Sequence, residues 1–205
     1  MYHITKDIAA GKKDASWIDS ALNHIRKDYP AHAYQMWFTS NHDENSWNKA
    51  DYGTMPGEVH APFAVLTQTL PRGLPLIYSG QEEPHLDSLS FFYKDQIKFK
   101  DYQRAGFYKT LLTLRKENPA LAVNVDASTL RLGDPKQIYA FIRTTGKHSV
   151  LVVTNLSGRP AKFKMGDNSL KGEWTEVFSN EKTTLSGSEH VLEPFGYKVY
   201  SYITN

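Results

Sequence analysis

Asn41, His42, Asp43, Glu44 and Asn45 follow one another without a break, a run of hydrogen-bonding side chains dense enough to do chemistry. A short carboxylate beside an imidazole with a donor nitrogen can hold two vicinal hydroxyls. Asp43 would accept, His42 would donate, and Asn41 would orient its neighbours. The same run also suits a capped turn, because Asn and Asp side chains bond to their own backbone in Asx-turns. Trp47 and Tyr52 offer apolar ring faces close by, as rings that merely pack also would.

A strand that stops must deliver these side chains. Tyr34-Gln35-Met36-Trp37-Phe38 has the aromatic content of a buried strand, and the polar run after it cannot continue a strand interior. In parallel α/β barrels the site is built at such carboxyl ends of strands. A helix is expected over Asp14 to Tyr29, where Trp17, Ile18, Ala21, Leu22 and Ile25 recur at helical spacing, Asp14 or Ser16 can cap, and Pro30 stops it. After a loop through residues 51–57, a second helix runs from about Glu58 to Thr69, with Val59, Phe63, Leu66 and Leu70 on one face and Pro71-Arg72-Gly73 to end it. Leu74 to Tyr78 reads as a parallel strand covered on both faces. A third helix is expected over residues 102–118, before Pro119, with Phe107, Tyr108, Leu111, Leu112 and Leu114 along its stripe.

Beyond Pro119 the pattern changes to short strand-like segments: 129–132, 138–143, 149–154, 161–165, 174–178 and 197–202. Turn residues separate them, as in Gly133-Asp134-Pro135 and Gly166-Asp167-Asn168, which suggests an antiparallel sandwich. The boundary falls at about residues 118–125, giving an α/β part, 1–118, and an all-β part, 119–205. With no flexible linker and no repeat, the two are expected to share a fixed interface.

Composition excludes several classes. Charge is +2, with 24 basic and 22 acidic residues spread along the chain, so neither nucleic acid nor a membrane surface is favoured as partner. No cysteine is present, which removes disulfides, thiol nucleophiles and zinc–thiolate sites. No apolar run approaches the ~20 residues that span a bilayer. Residues Met1 to Asp7 lack the apolar segment of a signal peptide. The seven histidines other than His42 lack metal-ligand spacing, so no metal site is expected from this segment.

Phe38-Thr39-Ser40-Asn41-His42-Asp43-Glu44-Asn45-Ser46-Trp47 resembles the last short motif of the α-amylase family of glycoside hydrolases. Arg72 to Glu83 is similar to that family's eighth-strand signature, G-x-P-x-I-Y-x-G-Q-E, and Arg104 to Leu121 resembles the helix that closes its barrel. The three occur in the family's order and at its spacing. Downstream, relatives often read F-F-x-K-D-P-I-x-W, where this chain has Gln96 and Phe99 in place of Pro and Trp.

The resemblance implies the last two strands and helices of a (β/α)8 TIM barrel followed by an antiparallel β-sandwich; a whole barrel needs about 250 residues. It implies a retaining glycosidase acting on starch-like α-glucans, and such enzymes use a carboxylate nucleophile and a carboxylic acid roughly 5 Å apart. In the family these lie on the fourth and fifth strands, the nucleophile in a G-x-R-x-D motif, and neither has a counterpart here. The third carboxylate corresponds to Asp43, a stabiliser of transition-state charge. His42, Asn45 and Trp47 are the implied substrate contacts; Asn41, Gln81 and Glu82 are the implied supports. No cofactor is implied for this segment, calcium belonging to missing parts of the parent. This chain alone is expected to be inactive, and its open barrel edges are expected to pair with another copy or to be covered. Any signal would lie in the missing amino-terminal part, with a lean to an exported bacterial protein. The rival reading is a non-catalytic carbohydrate-binding module, for which Trp174, Phe178, Tyr197, Tyr200 and Tyr202 would line one exposed face of the sandwich.

Overall fold

Near-continuous apolar runs after Pro119 build the largest element of the molecule, a sheet covered on both faces. The computed structural model describes residues 1–47, 59–166, 170–185, 187 and 189–204. The helices are α1 (Tyr2–Ala9), α2 (Trp17–Asp28), α3 (His42–Trp47), α4 (His60–Thr69) and α5 (Ala105–Glu117). The early strands are β1 (Gln35–Trp37), β2 (Gly73–Pro75), β3 (Ser128–Leu130), β4 (Ile138–Thr145) and β5 (His148–Asn155). The later ones are β6 (Ala161–Lys164), β7 (Trp174–Glu176), β8 (Lys182–Thr183), β9 (Glu189–Leu192) and β10 (Tyr197–Ile203).

Six strands pair in the order β3-β4-β5-β10-β7-β8, all antiparallel. The β4–β5 hairpin turns through Gly146 and Lys147, and Gly146 takes φ +54°, the left-handed value that tight two-residue hairpins need. On one face, Ile138, Ala140, Leu151, Val153 and Tyr200 pack with Ala161, Phe163 and Leu192 of the β6–β9 pair, closing a sandwich. On the other, Tyr139, Phe141, Val150, Val152 and Val199 share a core with Ile8, Ile18, Leu22, Ile25, Phe63, Leu66 and Leu111 from the helices.

Two arginines tie the helices in place, one of them to this sheet. Arg143 of β4 is fully buried and donates to four carbonyls: Thr69 (2.9 Å) and Leu70 (3.4 Å) at the end of α4, and Ala122 and Val125 (2.6 Å each). The last carbonyls of a helix lack intrahelical donors and carry negative partial charge, so a guanidinium there meets both needs. Burial still pulls its pKa down, to about 10. Arg115 of α5 repeats the device, donating to Gln68 O at 2.8 Å and Gly73 O at 2.7 Å. Asp19 of α2 also reaches the sheet, accepting from Thr129 and Tyr139 at 3.1 and 3.2 Å and pairing with Arg131.

β1 and β2 form a two-stranded parallel pair, with Gln35, Met36 and Trp37 opposite Gly73, Leu74 and Pro75. Several expectations are corrected here. The second strand begins at Gly73 and ends at Pro75 instead of spanning 74–78, with only the Leu76 N–H still bonding to Trp37 O at 2.8 Å. It is not covered on both faces: Met36 and Leu74 stand side by side, 56% and 49% exposed. α4 is buried all round, nine of its ten residues being buried, polar His60, Thr67, Gln68 and Thr69 among them, and Leu112 of α5 points outward. α1, β8 and β9 were not anticipated. The aromatics proposed for an exposed face of the sandwich lie inside: Trp174 and Tyr200 are core residues, Tyr202 stacks on Trp174 at 5.0 Å, and Phe178 and Tyr197 pack around Phe107. The expected loop at 51–57, the helix start at Glu58, and Asp167 and Asn168 of one turn lie outside the described residues.

Candidate functional site

Trp37, the last residue of β1, is buried, and its ring lies flat on the neighbouring strand. A Cβ at Gly73 would fall 1.5 Å from Trp37 Cδ1, so only glycine allows the approach. The indole Nε1 donates to Pro71 O at 3.2 Å, which closes the hold on β1. Thr39 and Ser40 follow, both buried, and carry the chain to the carboxyl end of the pair.

There the polar run forms a six-residue helix, α3, where a strand-end loop was expected. Asn41 explains it: its Oδ1 accepts the Glu44 N–H at 2.8 Å, satisfying one of the first-turn donors in the manner of an N-cap. His42 and Asp43, on the first turn, are exposed, with His42 Nε2 3.5 Å from Asp43 Oδ1. Asn45 faces the other way. It is 1% exposed, and its Oδ1 accepts the Leu89 N–H at 2.8 Å, while Ser46 Oγ donates to Leu89 O at 2.8 Å. Asn45 was expected at the substrate; its carboxamide oxygen is instead committed to the backbone of the loop after β2. Trp47 is 63% exposed and packs its ring on Phe91 at 5.3 Å and Phe92 at 6.3 Å. The His42 ring lies over Phe91 at 6.1 Å. Tyr52 lies outside the described residues.

The loop after β2 is braced by its own acidic and amide side chains. Gln81 is fully buried; its Oε1 accepts Tyr78 N–H at 2.7 Å and its Nε2 donates to Thr39 Oγ1 at 2.5 Å, joining the two strand ends. Glu82 accepts Gly80 N–H at 2.9 Å. Glu83, not singled out from the sequence, accepts three successive backbone N–H groups, from Lys100 (2.9 Å), Asp101 (3.1 Å) and Tyr102 (3.0 Å). These donors, Lys100 first, hold its carboxyl below the usual carboxylate range. The sequence gives no signal for this bond set, which spans up to 19 residues. His60 bonds Tyr108 OH at 2.6 Å inside the core, away from the site.

His42, Asp43, Asn45 and Trp47 thus share one short helix that Asn41 caps, and Gln81 bonds Thr39 in the segment leading into it. The result is a carboxylate and an imidazole offered side by side to solvent, next to apolar ring faces and on a braced support. Such a surface can accept from and donate to hydroxyls while a ring stacks alongside. Among the described residues no group of three or more His, Asp or Glu side chains is placed to hold a metal ion. No helix among them is long and apolar enough to cross a membrane.

Residues 128–199 match the family model for the C-terminal domain of maltogenic amylase. Solved structures resemble the chain over a longer span. A noncanonic maltogenic α-amylase from Thermotoga neapolitana matches all of it with TM-score 0.78 at 17% identity, over 49% of that enzyme. An α-amylase from Lactobacillus plantarum matches 97% of it with TM-score 0.76 at 18% identity, over 45% of its own length. The Geobacillus thermoleovorans α-amylase, solved with acarbose, matches 100% with TM-score 0.71 at 14% identity, over 47%. The chain therefore spans about half the length of the enzymes it resembles. No curated protein sequence matches it. The family model bears on residues 128–199, and the structural matches show that the chain as a whole shares its fold with about half of each of these enzymes.

Proposed function

We propose that this chain supplies the last two strands of a catalytic (β/α)8 barrel, within residues 1–118, and the trailing β-sandwich, residues 119–205, of a retaining α-glucan hydrolase. The observation that carries the reading is the exposed Asp43–His42 pair, 3.5 Å apart, at the carboxyl end of β1. That is where the chemistry of parallel barrels is assembled. In this reading Asp43 stabilises the positive charge that develops on the distorted sugar ring, and His42 donates to a hydroxyl of the same ring. Trp47 stacks on the substrate. Asn41, Asn45 and Gln81 hold these groups in place, and Glu82 braces the loop behind them. The substrate is a starch-like α-glucan, in line with the acarbose bound by one structural neighbour and the maltotriose bound by another.

Nucleophile and general acid come from strands this chain does not contain, so the chain by itself turns nothing over. The open face at Met36 and Leu74 is where those strands would pack. In their absence it favours self-association.

The test is maltooligosaccharide hydrolysis by the folded 205-residue chain, with intact mass and oligomeric state measured on the same sample. Absence of turnover is expected. Turnover proportional to protein and abolished by Asp43→Ala would mean that nucleophile and acid lie among residues dismissed above.

A further inference from the structure

The outer edges of the parallel pair are not equivalent. On β2, Arg72 O and Leu76 N–H bond inward to β1, so Gly73 and Pro75, which alternate with them, face outward. That edge is blocked twice: Arg115 Nη2 occupies Gly73 O at 2.7 Å, and Pro75 has no N–H to give. Proline and charged side chains are the usual devices that keep an exposed edge from pairing.

β1 carries neither. Gln35 N–H donates to Arg72 O and Trp37 O accepts from Leu76 N–H, which turns both main-chain groups of Met36 away from β2. Among the described residues no hydrogen bond reaches them. The stretch Tyr34 to Phe38 holds no charge and no proline, and Tyr34 and Met36 are both exposed.

Such an edge is self-complementary. In an antiparallel ladder, a residue that turns its N–H and C=O to one side exchanges both bonds with the residue opposite. A two-fold axis through Met36 sets this residue against its own copy, with Tyr34 of each chain opposite Phe38 of the other. We infer that two copies of this chain join through β1 across such an axis, making one sheet in the order β2-β1-β1-β2. This pairing makes specific the self-association proposed above and rests on that reading of the open pair, while standing apart from the role of Asp43. In the same reading the β1 edge also receives the strands that complete the catalytic site. The dimer and the completed site therefore exclude one another.

The test is sedimentation equilibrium of the folded 205-residue chain over a range of concentrations. A reversible dimer is expected. Met36→Pro removes the outward N–H at an edge position that tolerates proline, and should weaken dimerisation about tenfold or more with circular dichroism unchanged. Leu112→Lys, on the exposed face of α5, should leave the dimer unaltered. Because the chain has no cysteine, Met36→Cys gives an independent readout. Hydrogen-bonded neighbours across an antiparallel ladder lie about 5.5 Å apart between Cα atoms, within disulfide reach. Mild oxidation should link Met36→Cys into a covalent dimer and leave Leu112→Cys unlinked. A monomer at every concentration, or a dimer that Leu112→Lys abolishes and Met36→Pro does not, would overturn the pairing through β1. Either result leaves the role of Asp43 intact, since that is read from turnover by the complete polypeptide.

Discussion

The six-stranded sheet and the β1–β2 pair are opposites. In the six-stranded sheet, both faces are covered, and arginine and aspartate side chains stitch it to the helices. In the β1–β2 pair one face is covered and the other shows Met36 and Leu74 to solvent. The candidate functional residues sit beyond the open pair. The contrast teaches that stability and chemistry are separated along this chain. The closed sheet supplies a rigid body, and in the proposed reading the open pair presents side chains to further strands and to substrate.

The largest effect should come from the closed side. Arg143→Met removes a cation from four carbonyls and leaves a helix end buried without donors, and should cost about 3 kcal/mol or more in urea unfolding. A variant with near-native stability would mean that the stitching is dispensable and the contrast overstated. Next comes the joint between the regions: Gly73→Ala forces a methyl into the Trp37 ring and should cost about 1–3 kcal/mol. Asn41→Ala, which uncaps α3, should cost about 1 kcal/mol and broaden the amide resonances of residues 42–47 in NMR.

Smaller effects belong to the open side. Trp47→Ala should change global stability by no more than about 0.5 kcal/mol. Glu83 adds a pH dependence. Its folded pKa is depressed, so its contribution is present above the unfolded carboxyl pKa of about 4.3 and is lost as pH falls through the lower folded value. Amide exchange at Lys100, Asp101 and Tyr102 should accelerate across that acid range in the native chain, and Glu83→Gln should remove this local pH dependence.

Legibility followed the same division. Strands β4, β5 and β10 could be read closely because runs rich in β-branched and aromatic residues are set off by turn residues, and α2 because Ile18, Ala21, Leu22 and Ile25 keep helical spacing. The short β8 and β9 lack such a pattern: β8 is two residues long and β9 buries only Leu192. α1 offers only Tyr2, Thr5 and Ile8 to the core and is organised from outside, by Phe38 stacking on Tyr2 at 5.2 Å. At the site, the residue types pointed to hydroxyl chemistry, but the direction each side chain takes depends on distant partners. Asn45 turns inward because Leu89, 44 positions away, supplies the N–H it accepts. Asn41, by contrast, bonds three residues on, and its capping of a turn could be weighed from local sequence alone.

The central claim is that Asp43 is a charge-stabilising member of a site completed by strands outside this chain. The most direct measurement is maltooligosaccharide turnover by the complete polypeptide with native Asp43 and with Asp43→Asn, each checked for fold. The account predicts a fall in kcat of about 10²- to 10³-fold with an unchanged circular dichroism spectrum. Near-native turnover by Asp43→Asn would contradict it.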